Sequence, residues 1–381
     1  MIFDNQYRTF ERFLDSYKGD MPLARFFPDF FKKNKQMGSR DRRFLMELVY
    51  SFSRLGTAMP EADIRERLMI ALFLCKTESS AFLAHFEPEL DAMVSLPLSE
   101  KIQQVEARYP DFKREEIFPY SAYLSSLIDK EAFLDSHFMQ PALFLRAMRG
   151  KEAALEDVLN EKNIAFRREG TCFELKNATS VETADYLFEV QDRSSQYTAH
   201  YFQPSAGEYW WDCCAASGGK SLMLLDEQPD IRLFVSDVRE SILKNLDLRF
   251  EQAGIKKYTR RLIDLTGEIT SIEPASFDGI ILDAPCTGSG TWGRTPEMIT
   301  LFEEHKIEYF SRLQQQMADN VVQFLKPGKP LVYITCSVFE KENEAIVSFL
   351  VNEKGMKLEQ MEYIKGYEHH ADSMFVARLT R

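Results

Sequence analysis

Apolar residues along this chain change their spacing twice. Up to about residue 130 they recur at helical steps. In Ser39–Arg54, Phe44, Leu48 and Phe52 fall four apart, with Leu45 and Val49 beside them and arginines around the stripe. That is the pattern of an amphipathic helix, and Ser39 is placed to cap its start. Ile64–Leu74 and Leu98–Arg108 repeat it, and no alternating strand pattern occurs before residue 141. From Pro141 to about Glu189 the pattern predicts a strand over Ala142–Met148, a helix over Lys151–Glu161, a hairpin from Ala165–Arg168 and Cys172–Leu175, and a short helix over Thr183–Phe188. From about residue 208 strands and helices alternate. Predicted strands are Tyr209–Asp212, Leu233–Asp237, Thr259–Asp264, Asp278–Asp283, Leu331–Cys336 and Met374–Leu379, with helices over Glu240–Ala253, His305–Phe324 and Glu340–Val351. Such alternation implies a largely parallel, doubly wound sheet. The expected division is an all-α domain over residues 1–130, a linker and small α+β subdomain over 131–195, and an α/β domain over 196–381.

Composition narrows this picture little. The 381 residues, 45% hydrophobic and 28% charged, suit two or three soluble domains. The longest apolar run, near Leu68–Cys75, is well short of the roughly 20 residues of a membrane-spanning helix. The opening MIFDNQYRTFERF lacks the apolar stretch of a signal peptide. A cytoplasmic protein with no membrane partner is expected. Six cysteines without a CxxC pair suggest reduced thiols and no bound metal. A net charge of −12 counts against a phosphate-rich partner. Local basic clusters (Lys32, Lys33, Lys35, Arg40, Arg42 and Arg43; Lys256, Lys257, Arg260 and Arg261) count for one, although each alone reads as a solvated face. Charge leaves the partner open.

The candidate chemistry gathers at predicted strand ends, where doubly wound sheets bind their ligands. Four of those ends carry Asp212, Asp237, Asp264 and Asp283, and another carries Cys336. After the first comes Cys214-Ala215-Ala216-Ser217-Gly218-Gly219-Lys220, small residues that let backbone approach a ligand. This is neither a Walker loop nor GxGxxG. Asp237 is placed to accept ribose hydroxyls, Asp264 to face an adenine amino group, and Asp283 to meet an ammonium or a substrate base. Each aspartate alone reads equally as a cap or turn residue. Together they point to an adenosyl ligand without phosphate, which suits S-adenosylmethionine better than NAD. Cys286 and Cys336 each follow a predicted strand. Either alone could be a small packing residue, but the helix expected near Glu340 would favour a thiolate at Cys336.

DAPCTGSG at Asp283–Gly290 and LKPGKPLVYITCSVFEKENEAIV at Leu325–Val347 resemble the signature of the Sun/RsmB family of RNA cytosine-5 methyltransferases. QDRSSQ at Gln191–Gln196 and CAASGGK at Cys214–Lys220 are similar to further motifs of that family, in the same order. RDRRFLMELVYSFSRL resembles the NusB-like helical domain of bacterial members, and the unit from Pro141 resembles their RNA-recognition-like subdomain. The resemblance implies a Rossmann-like, S-adenosylmethionine-dependent methyltransferase domain. It implies Cys336 as the nucleophile that adds to cytosine carbon-6, Asp283 at the N3 edge, and Cys286 assisting loss of the carbon-5 proton and release of the enzyme. Cys214–Lys220 would wrap the methionine end of the cofactor, Asp237 the ribose and Asp264 the adenine. The expected partner is unpaired or flipped RNA, ribosomal before transfer RNA, met by a monomer. Ser217 departs from the family, which usually has proline there, as do Lys329, Ile242 and the single arginine of Gly290–Glu297. A methyltransferase acting on a protein or small molecule, and a non-catalytic RNA-binding factor, are the competing readings.

Overall fold

The structure is a computed structural model that describes residues 2–381. It divides into two compact units, one built from the residues up to Ala122 with Asp129–Gln140 and Trp292–Glu303, the other from Tyr123–Ile128, Pro141–Thr291 and Glu304–Arg381.

The first unit is helical. Helices Ile2–Ser16, Leu23–Lys33, Ser39–Arg54, Ile64–Cys75 and Leu98–Arg108 surround one apolar core. Phe13 sits at its aromatic centre, stacked on Phe27 at 4.7 Å between ring centroids and meeting Phe30 edge-on at 4.9 Å. The apolar run of the sequence is explained here: Leu68–Leu74 are all buried, because the helix is covered on every side beyond its exposed first turn at Ile64 and Arg65. Asp63 caps that helix by accepting the Glu66 N–H at 2.9 Å. Ser39 is not a cap. Gly38 occupies that position without a side-chain hydrogen bond, and Ser39 is already helical. Trp292–Glu303, distant in sequence, completes this unit. The Glu297 carboxylate accepts the Leu23 N–H at 2.9 Å, and Tyr120 donates its hydroxyl to the Phe302 carbonyl at 2.6 Å.

The second unit contains two sheets. The smaller is antiparallel, with order β2-β3-β1-β4 formed by β1 (Leu143–Ala147), β2 (Phe166–Glu169), β3 (Cys172–Leu175) and β4 (Phe188–Val190). Helix Glu152–Glu161 buries Leu155 and Leu159 in its core. The short helix expected over Thr183–Phe188 is absent, and its end forms β4 instead. The free edge of β1 recruits this segment, pairing Leu145 with Val190 and Ala147 with Phe188. Sheet pairing there outweighs local helical propensity.

The larger sheet is Rossmann-like, with strands β5 (Tyr209–Asp212), β6 (Arg232–Asp237), β7 (Thr259–Leu262), β8 (Gly279–Asp283), β9 (Pro330–Thr335), β10 (Lys357–Ile364) and β11 (Met374–Thr380). Their order is β10-β11-β9-β8-β5-β6-β7. β5 to β9 run parallel, while β10 and β11 pair antiparallel at one end. Parallel strands covered on both faces are apolar throughout, and the adjacent Trp210 and Trp211 of β5 are both fully buried. Their indole N–H groups donate to Glu208 and Ser236, each at 2.9 Å. β5 has β8 on one side and β6 on the other, which opens a crevice at the carboxyl ends of these strands. No described helix is long and apolar enough to cross a membrane.

Candidate active site

The turn after β5 is built for close approach. The Ala215 N–H donates to the Ser236 carbonyl at 2.9 Å and the Ala216 N–H to the Asp237 carboxylate at 3.1 Å, tying the turn to the end of β6. Ala216 and Gly218 adopt left-handed backbone, at φ 46° and 89°. At Gly218 a side chain would also meet the Phe250 ring at 2.6 Å, so the turn requires glycine there. Ser217 is the acceptor for Arg249, whose Nη1 donates to its Oγ at 2.8 Å. Arg249 also pairs with the buried Glu189 of β4, joining the small sheet to this turn. A proline at position 217 could not receive that bond.

Two buried carboxylates stand at the carboxyl ends of β5 and β6. Asp237 is 5% exposed. Its Oδ1 accepts from the Arg239 N–H and Nε, and its Oδ2 from Arg239 Nη2, at 2.9–3.2 Å. That two-pronged set of donors is what a ribose diol would also offer. Asp212 is fully buried, and its Oδ2 accepts from Ser221 at 2.6 Å while its Oδ1 has no hydrogen-bond partner. Burial pushes its pKa up to about 7. A buried acceptor of this kind calls for a donor, and the ammonium of an amino acid fits it. The sequence reading placed Asp212 at a strand end and gave it no role.

Asp264 is not joined to this group. β7 ends at Leu262, the last residue paired with β6, so Asp264 lies two residues beyond the strand. It is exposed and accepts from the Thr266 N–H and hydroxyl at 2.9 and 2.7 Å. These bonds hold its carboxyl below the usual range. This is a turn contact.

The neighbouring strands β8 and β9 bring the two cysteines together, with Cys286 Sγ 3.4 Å from Cys336 Sγ. The contact with Cys336, and then burial, push the Cys286 thiol well above its ordinary pKa. Gly290 allows this approach. Its N–H donates to the Cys336 carbonyl at 2.8 Å, and an added Cβ would stand 2.9 Å from that oxygen and closer still to the Ser373 carbonyl. The α-helix expected from Glu340 begins only at Glu344, after a three-residue turn over Glu340–Glu342. That turn carries acidic Glu340 and Glu342, and the helix start lies eight residues after Cys336 rather than four.

Asp283, half-buried at the end of β8, pairs with Lys220 at 3.1 Å. Lys220 is 8% exposed and donates to Ser195 Oγ at 2.8 Å. Ser195 accepts from Gln191 at 3.2 Å, and Gln191 accepts from Arg146 of β1 at 2.8 Å. The QDRSSQ motif is thereby assigned a place. It links the small sheet to Asp283 through Lys220, a role no spacing in the sequence could reveal. Among the described residues, no group of three or more His, Cys, Asp or Glu is arranged to hold a metal ion.

Comparison with known proteins agrees with this geometry. The profile of the family described as 16S rRNA methyltransferase RsmB/F matches residues 199–380. The ribosomal RNA small subunit methyltransferase B of Shewanella oneidensis is 32% identical over 207 residues, covering 50% of this chain and 47% of the relative. That of Klebsiella pneumoniae is 27% identical over 284 residues, covering 69% and 65%. The chain thus spans less than two thirds of these curated relatives. The crystal structure of PH0851 superposes with a TM-score of 0.70 at 21% identity, covering 93% of both chains, which shows a shared fold. The family's methyl donor is S-adenosylmethionine, and Asp212, Asp237 and the Cys214–Lys220 turn suit it. Residues 199–380 of this chain, which include the large sheet and the two neighbouring cysteines, are thus similar to the RsmB/F methyltransferase family.

Proposed function

We propose that this protein is an RNA cytosine-5 methyltransferase acting on ribosomal RNA, with Cys336 as its covalent nucleophile. The single observation that carries the reading is the meeting of two cysteine sulfurs, 3.4 Å apart, at the carboxyl edge of the sheet that also presents Asp283. The names of the curated relatives support ribosomal over transfer RNA.

Carbon-5 of cytosine is too weak a nucleophile to attack a methyl group unaided. Addition of the Cys336 thiolate to carbon-6 makes carbon-5 enamine-like, which is covalent catalysis. Cys286, held as a thiol by its contact with Cys336, serves as the proton-bearing partner of that pair. Asp283 faces the N3 edge, where charge develops, and the Lys220 ammonium at 3.1 Å stabilises the change. When bound, S-adenosylmethionine supplies an electrophilic methyl group. Asp212 would hold its ammonium, Asp237 its ribose and the Cys214–Lys220 turn its methionine end, while Asp264 would reach the adenine only if its turn contact to Thr266 is exchanged. Once Cys336 is bonded to carbon-6, Cys286 releases its own proton to solvent and then accepts the carbon-5 proton. The carbon–sulfur bond breaks and Cys336 leaves as a thiolate. The target base must be unpaired or flipped, because carbon-6 is inaccessible in a helix. A monomer in the cytoplasm suits this reading.

The test is transfer of labelled methyl from S-adenosylmethionine to unmodified ribosomal and transfer RNA, with identification of the product nucleoside. Label in 5-methylcytosine of ribosomal RNA, lost in Cys336→Ala, is expected. Label that persists in Cys336→Ala, or none in RNA despite cofactor binding, would overturn the proposal.

A further inference from the structure

The mechanism above leaves a buried carboxylate of the same neighbourhood without a part. Glu342 is 0% exposed. Its Oε2 accepts the Thr287 N–H at 2.9 Å and Gln314 Nε2 at 3.0 Å, and its Oε1 accepts the Thr287 and Ser337 hydroxyls, each at 2.6 Å. Thr287 follows Cys286 and Ser337 follows Cys336, so one carboxylate binds both cysteine loops. Gln314, from helix His305–Val322, also donates to the Pro285 carbonyl at 2.9 Å and fixes the first loop to that helix. Neighbouring groups pin the second loop. The Tyr333 hydroxyl donates to the Glu342 carbonyl at 2.6 Å, and Asn343 donates to the Ser337 carbonyl at 2.9 Å.

An ionised carboxylate is acceptor-only and offers about four lone-pair sites. Here four donors meet it, which offsets the cost of burying the charge. A glutamine in its place would turn an NH₂ group towards donors and leave at least one of them without an acceptor.

We infer that Glu342 is the positioning residue of the two-thiol site, tying the Cys286 loop to the Cys336 loop and so setting the distance between their sulfurs. It touches neither sulfur in a reacting role and acts through Thr287 and Ser337. This inference rests on reading Cys336 and Cys286 as the reacting thiols.

The first measurement needs no RNA. Phenylarsine oxide condenses with two thiols only when both can reach one arsenic. With the full-length protein, peptide mapping separates a Cys286–Cys336 bridge from one on the adjacent Cys213 and Cys214. Wild type is expected to form the Cys286–Cys336 bridge. Glu342→Gln is expected to form it at least about tenfold more weakly while iodoacetamide still alkylates each sulfur, because loosening the loops costs the pair its fixed geometry. The second measurement is formation of 5-methylcytosine. There kcat should fall by about a hundredfold, the scale of a small misplacement of reacting groups, with KM for S-adenosylmethionine unchanged. Ser337→Ala and Thr287→Val should each reproduce part of the loss, and Glu342→Gln combined with Ser337→Ala should lose no more than Glu342→Gln alone.

Undiminished bridging and kcat in Glu342→Gln, additive losses in the double variant, or no bridge in wild type would each overturn the inference. If Glu342→Gln does not fold, Ser337→Ala and Thr287→Val carry the test, and wild-type bridging in both overturns it. A wild type that bridges its thiols in a Glu342-dependent way but makes no 5-methylcytosine would refute the proposed reaction and leave the role of Glu342 standing.

Discussion

Asp212 shows how much one atom's surroundings decide. Its Oδ1 is buried without a partner, and burial lifts its pKa to about 7. The folded protein therefore holds this proton more tightly than the unfolded chain. Its contribution to stability is fully present below the unfolded value near 4 and is lost as pH rises through 7. In calorimetry without cofactor, Asp212→Asn should gain Tm over wild type at pH 8 and little at pH 5. The same substitution should weaken S-adenosylmethionine binding by about tenfold, the scale of one charge-assisted hydrogen bond, as measured by titration calorimetry. Unchanged affinity would remove Asp212 from the cofactor site. The two sulfurs predict a different pair of phenotypes. Cys286→Ala should accumulate a slow-migrating RNA–protein adduct on a denaturing gel, and Cys336→Ala should form none. An adduct that instead depends on Cys286 would exchange their roles.

Elements with strong periodicity were legible in advance. Leu98–Arg108 is a helix with the bounds its spacing predicts, and β5 is the strand expected. β10 was not foreseen, because only Tyr363 and Ile364 of its eight residues are buried. An edge strand facing solvent carries little alternation to read. Thr183–Phe188 failed for the opposite reason, since a partner distant in sequence, β1, decides its state. Within the candidate site, the sequence motifs single out Cys286, Cys336 and Asp283, and the structure brings the two sulfurs together. Glu342 and Ser195 could not, because their meaning lies in bonds to residues far along the chain. Two predictions belong at this scale. Gly290→Ala should cost about 1–3 kcal/mol, as overpacking does, because its Cβ would press on the Cys336 and Ser373 carbonyls. Denaturant melts and methyl transfer should both register it. In the helical unit, burial lowers His137 to about 4, so it stays neutral when folded. Its stabilisation is present above the unfolded value near 6.5 and is lost as pH falls through 4, a change of about 3 kcal/mol. After correction for the intrinsic exchange rate, protection of helix Lys130–Ser136 should fall over that range in wild type and much less in His137→Gln.

At the scale of the whole molecule, a net charge of −12 coexists with similarity to proteins named for ribosomal RNA. Net charge is a sum over the surface, whereas recognition depends on where the basic side chains stand. Several arginines that might have been counted towards RNA are committed internally. Arg54 donates to the His137 carbonyl at 2.8 Å and to Gln140 at 3.1 Å, and Arg249 pairs with Glu189. Counting basic residues in the sequence cannot make that distinction.

The helical unit takes Trp292–Glu303 from the stretch of chain between β8 and β9. Translation delivers residues in order, so the helices of this unit leave the ribosome well before Trp292–Glu303 and must wait for that segment before they can be finished. Until then the Leu23 N–H has no Glu297, and Phe118 and Tyr120 lack the indole of Trp292, which they later meet at 5.6 and 5.9 Å. A fragment of residues 2–140 should accordingly melt well below the intact protein, and a synthetic peptide of residues 292–303 should raise its Tm when added in trans. No shift at saturating peptide would mean that the segment only rests on a unit already complete. If the shift is found, helices made before the large sheet mature only after its strand β8 has been made, and a nascent chain stalled before Trp292 is a natural client for chaperones.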